Sequence, residues 1–125
     1  MEDYSFELWI LLDVFIACAL GGALGYEREQ KNKPAGFRTN MFIAAGAALL
    51  LSLGRYIANS MELEIDPAAM GVDPTRIIHA IIVGVSFIGA GTILKSSDQH
   101  TIKYLTTAAT ILFSAGVGMC VALHL

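Results

Sequence analysis

The sequence predicts an all-α membrane protein: a polytopic helical bundle of about four transmembrane helices with short loops and its N-terminus outside. Three observations predict it. Of 125 residues, 55% are hydrophobic and 15% charged, with a mean hydropathy of +0.62. A soluble domain carries about 25% charged residues, so this chain has too little charge to coat a globule in water. Four apolar runs each approach the roughly 20 residues that cross a hydrocarbon layer. Lys and Arg are unequally divided among the segments between those runs, the asymmetry that orients membrane proteins. The length suits one domain, read as a single transmembrane domain over 1–125.

The first run, 8–26, is interrupted only by Asp13. The residues before it are acidic rather than basic, so no cleavable signal peptide is evident. Gly21 and Gly25 form a G-x-x-x-G face that lets another helix approach closely, either from this chain or from a second copy. The segment 27–40 concentrates Arg28, Lys31, Lys33 and Arg38, and Pro34-Ala35-Gly36 breaks any continuous helix. The second run, 41–57, therefore returns antiparallel beside the first, with Arg55 near its end. The next segment carries Glu62, Glu64, Asp66 and Asp73 with one cation, Arg76. Asp66-Pro67 and Asp73-Pro74 each set a capping residue before a proline suited to a first helical turn. They predict a short turn from Pro67 and a third span starting at Pro74, with Asp73 and Arg76 paired locally.

The third run, 77–94, holds Gly89-Ala90-Gly91, which reads either as a close-packing surface or as a break lining a cavity. The fourth, 104–123, has no charge. Lys95 and Lys103 precede it, so the segment between runs three and four joins 27–40 on the inner side. Trp9, Tyr26, Tyr56 and Tyr104 fall near run ends, where amphipathic rings favour the interface.

Few residues carry recognisable chemistry. His79, His100 and His124 are scattered, no metal-ligand spacing occurs, and no nucleophile has an obvious base. The reading is a non-enzyme without metal or cofactor and without a nucleic-acid partner. Cys18 and Cys120 lie within runs and read as small apolar residues. The outer acids are either a solvated loop or weak Mg²⁺ ligands. Asp13 lies about five residues into its run, roughly 7–8 Å of helix rise. It either faces a bundle interior or snorkels outward to meet Arg55.

On the inner side, Glu27, Arg28 and the start of run two (Gly36, Arg38, Thr39) converge with Thr106 and Thr107 at the start of run four. Helix N-termini carry partial positive charge and unpaired N–H groups. With Arg38 and the threonines they form a candidate anion site. The plainer alternative is that the cations obey the positive-inside rule and Glu27 pairs with Arg38 to pin the turn.

Five motifs in order, GGALGYERE (21–29), AGFRT (35–39), DPTRI (73–77), GVSFIGAG (84–91) and LTTAA (105–109), resemble the MgtC/SapB family of bacterial membrane proteins. The motif residues are Glu27, Arg28, Gly36, Arg38, Thr39, Asp73, Arg76, Gly89, Gly91, Thr106 and Thr107. The resemblance implies a multi-pass protein of the bacterial inner membrane, tied to magnesium limitation and to pathogen survival in macrophages. It also implies regulation more than transport, with inhibition of the F-type ATP synthase proposed for one member. Members usually continue through a fifth span, and many into a soluble domain; this sequence ends at Leu125. Tyr104 stands where the family usually has Gly, as does Ser86. Three functions follow as expectations. The first is a regulatory or accessory factor in low-magnesium or acid stress, in the lipid bilayer as a homodimer or other homo-oligomer. The second is a small ion or solute transporter. The third is an inner-face sensor of a phosphate-bearing ligand.

Overall fold

A computed structural model describes residues 2–64, 75–95 and 104–125. These form four helices, α1 (Glu2–Gln30), α2 (Phe37–Glu64), α3 (Thr75–Lys95) and α4 (Leu105–Ala122), with no strand among the described residues. All four are long and apolar enough to cross a membrane. α1 and α2 outrun the expected runs at both ends. Hydropathy marks only the lipid-covered part, whereas a helix continues until a breaker stops it. The first breakers after run one are Pro34 and Gly36.

α1, α2 and α4 form the packed unit, α3 lies chiefly against α4, and its contact with α2 is slight. The core is built from small side chains. Ala17, Ala44, Ala48 and Ala115 are fully buried, with Leu51 and Ile111 filling the wider gaps. Lipid gives no hydrophobic drive for helix pairing, so close backbone approach and dispersion must supply it. The glycines make that approach visible. A Cβ on Gly21 would stand 2.7 Å from the Ala44 methyl, and one on Gly25 would strike Gly36 O and stand 2.7 Å from Phe37 Cα. A Cβ on Gly118 would run into the Ala44 carbonyl. The G-x-x-x-G face therefore meets α2 of its own chain.

α3 is an unbroken α-helix through Gly89-Ala90-Gly91, so the broken-helix reading is not what the backbone adopts. Gly89 instead packs on Ala108 of α4, where a Cβ would sit 3.4 Å from the alanine methyl, and Gly91 faces open space. At the other end of α3, Ile77 lies over Gly54. The expected turn at Pro67, the start at Pro74, and Asp73 with its pairing to Arg76 lie outside the described residues; Arg76 itself is exposed.

Candidate functional site: a buried arginine at the basic end

α1 ends in a left-handed C-cap. Asn32 has φ 53°, its N–H donates to Glu29 O at 3.1 Å, and Lys33 N–H donates to Arg28 O at 3.0 Å. Asn tolerates that backbone region because its short polar side chain bonds locally. Pro34 follows, and Ala35 is also left-handed, at φ 54°. This tight return places Asn40 against α1, fully buried. Its carboxamide donates to Ala35 O at 2.6 Å and Gly36 O at 3.0 Å, and accepts from Ser114 Oγ at 2.7 Å. One side chain thus closes the turn and ties it to α4.

With Asn40 inward, helical phase decides the rest of the turn. At about 100° per residue, Arg38 and Thr39 fall on the outer surface, and both are exposed. The candidate cluster therefore assembles around a different cation. Arg28 is 9% exposed. Its Nη2 donates to Thr107 Oγ1 at 2.5 Å, Nη1 to Thr110 Oγ1 at 3.3 Å and Nε to Pro34 O at 3.3 Å. Glu27 pairs with Lys31 at 2.9 Å, one turn along the same exposed face, rather than with Arg38. Thr107 is buried and Thr106 exposed. A groove of about 640 Å³ is lined by Arg28, Asn32, Lys33, Pro34 and residues 104–107; Arg38 and Thr39 do not line it.

Four of the five motif segments meet at this end. Gly25 touches Gly36, Arg28 bonds Thr107, and Ala108 covers Gly89. A family model, the MgtC family, matches residues 14–125, which include every one of these contacts. The chain belongs to the MgtC family. Among its relatives are SapB of Bacillus subtilis (strain 168), 40% identical over 88% of this chain and 46% of that protein, and YhiD of Escherichia coli (strain K12), 38% identical over 89% and 49%. MgtC of Salmonella typhimurium (strain LT2) is 34% identical over 95% and 46%. The chain spans about half the length of these curated relatives. No solved structure matches it.

A second polar cluster sits at the opposite end, and its acid precedes the family match. Asp13 is 7% exposed and faces the interior, with its Oδ2 3.0 Å from His124 Nε2. His124 reaches it because the residue after the C-cap of α4 is left-handed: φ of His124 is 58°, and His124 N–H and Leu125 N–H donate to Val121 O and Cys120 O, each at 3.0 Å. Arg55 does not pair with Asp13. Its Nη1 donates to Ala122 O at 2.5 Å, where a cation meets the negative end of α4 and satisfies an orphan carbonyl. Ser52 Oγ is buried without a hydrogen-bond partner among the described residues. It borders a cavity of about 60 Å³ with Asp13, Arg55, Asn59 and His124. No group of three or more His, Cys, Asp or Glu suited to a metal occurs among the described residues.

Asn40, Thr110, Ser114 and His124 were not singled out in the sequence as members of these clusters. An Asn and a Ser at the edges of apolar runs are the type of polar helix–helix bond that could have signalled the first.

Proposed function

We propose that this chain is the membrane part of a regulatory or accessory factor in adaptation to low magnesium or acid stress, acting without enzymatic chemistry through contacts with other membrane proteins. The basic end faces the cytoplasm of a bacterial inner-membrane protein, as the positive-inside rule favours. The chain self-associates as a homodimer or other homo-oligomer, and a complex such as the F-type ATP synthase is a candidate target. One observation carries the reading. The two polar clusters are separated by an apolar core of Ala17, Ala44, Ala48, Leu51 and Ala115, packed too closely to admit a Cβ at Gly21 or Gly118. An ion crossing a single chain would find no polar lining there among the described residues.

The transporter reading keeps one favourable observation, a buried acid within a candidate span, on the same cavity as a hydroxyl without a partner among the described residues, the kind of residue that marks ion pathways. YhiD also bears a name assigning it provisionally to magnesium transport. Liposomes loaded with Mg²⁺- and proton-sensitive dyes separate the two. The regulatory reading expects no flux above protein-free liposomes from folded protein. Flux that falls in Asp13→Asn would replace it with transport.

A further inference from the structure

We propose that the grooves flanking Arg28 form a binding site for a phosphate group, with Arg28 as the buried charge and Lys33 and Thr106 as the accessible donors. Nine-tenths of Arg28 is removed from solvent, yet each of its three acceptors is a neutral oxygen. Among the described residues no carboxylate lies within ion-pair distance. Glu27, the acid bordering the site, is exposed and pairs with Lys31, and it feels the Arg28 charge only at longer range. A buried cation that has no ion-pair partner among the described residues is costly. A guanidinium has five N–H donors, and three are used among the described residues, which leaves two to be turned to an anion.

The surroundings fit an anion. Lys33 lines both grooves, and Lys31 and Thr106 border the second. The first turn of α4 opens into the larger groove, and its cap residue, Tyr104, makes no side-chain capping bond. Its leading N–H groups therefore add partial positive charge at the same place. Arginine with lysine beside a helix N-terminus is the donor set that phosphate oxygens match.

The second groove, about 510 Å³, indicates the source. One end is charged, and the other is apolar: Leu24, Ala109 and Phe113. That gradient matches an anionic phospholipid, its phosphate at Arg28 and its acyl chain along α1 and α4, as in basic pockets between transmembrane helices that hold lipid headgroups. A soluble phosphate compound offers the same oxygens without a use for the apolar end. The inference stands whether the chain regulates or transports.

The test is binding to the full chain in neutral detergent, read by native mass spectrometry and by the unfolding midpoint. The probes are dioctanoyl phosphatidylglycerol, dioctanoyl phosphatidylcholine and inorganic phosphate. Both lipids offer the phosphodiester, but the choline cation of phosphatidylcholine is repelled by Lys31 and Lys33 at the groove, so the expected result is phosphatidylglycerol binding about tenfold tighter than phosphatidylcholine. Lys33→Gln should weaken phosphatidylglycerol about threefold and Arg28→Lys about tenfold. Lys33 is exposed, so its variant keeps the test alive if Arg28→Lys fails to fold. Inorganic phosphate competing with phosphatidylglycerol at equal concentration would support the phosphate site and move its source to a soluble ligand. Equal binding of both lipids, unchanged in folded Lys33→Gln, would overturn the proposal and leave Arg28 a helix-to-helix tie.

Discussion

At the scale of single residues, the basic end depends on side chains that the turn orients. Asn40 is fully buried and uses its carboxamide in both directions. Asn40→Ala strands the Ser114 hydroxyl and the Ala35 carbonyl, and we expect a loss of about 2 kcal/mol, measured by unfolding in detergent. Tyr104 is the opposite case, a bulky residue held at φ 66°. A left-handed backbone costs a non-glycine residue roughly 1–2 kcal/mol, part of which glycine returns as unfolded-state entropy. Tyr104→Gly should therefore raise the unfolding midpoint slightly, and a fall would mean that the ring stabilises the end of α4 by more than its backbone costs. The cations of 27–40 were legible in the sequence, but which of them turns inward was not. That choice rests on two consecutive left-handed turns, at Asn32 and Ala35, which set the rotation of α2, and nothing in the spacing of Arg28 and Arg38 announces it.

At the scale of helices, small residues divide into those that carry an interface and those that do not. Gly118→Ala drives a methyl into the Ala44 carbonyl, whereas Gly84→Ala meets open space. The first should cost about 1–3 kcal/mol by forcing α4 away from α2, and the second should change stability by less than about 0.5 kcal/mol. Matched unfolding curves decide it, and equal effects would mean that the α2–α4 contact is looser than the backbone approach implies. The four helices were readable because lipid requires long apolar stretches. Their true ends were not, since α2 runs on past Arg55 to Glu64 with no proline or glycine to stop it. The continuity of α3 through Gly89 and Gly91 was also hidden, because a glycine pair marks a break and a packing surface equally well. Contact with Ala108 selects the second.

Across the whole molecule, the two ends are tied by different means. At one, Arg28 and Asn40 reach α4 through neutral hydroxyls; at the other, Asp13 and Arg55 meet the final turn of α4. α4 is thus the keystone of the described bundle, and α3, the least buried of the four, is an outer layer. Asp13 as a buried acid was one of two readings that the sequence left open. His124 as its neighbour was not, because only the left-handed end of α4 brings that ring back towards α1. Replacing both Thr107 and Ser114 by Val should loosen α4 from the α1–α2 pair. We expect faster proteolysis of the inserted protein in a pulse-chase experiment, while Leu112→Val, on an exposed position, should leave its lifetime unchanged.

These ties also set a schedule for biogenesis. The hydroxyls that receive Arg28 stand 79 and 82 residues later in the chain, and the one that binds Asn40 stands 74 later. A ribosome adding 5–20 residues per second needs roughly 4–16 s to cover such a distance. For that interval the newborn α1–α2 hairpin lies in the bilayer with an arginine awaiting two of its acceptors and a carboxamide oxygen awaiting its donor. The arrival of α4 ends the wait, so a translation pause or an insertion fault ahead of Leu105 would leave a hairpin that membrane quality control can recognise by its unsatisfied polar groups.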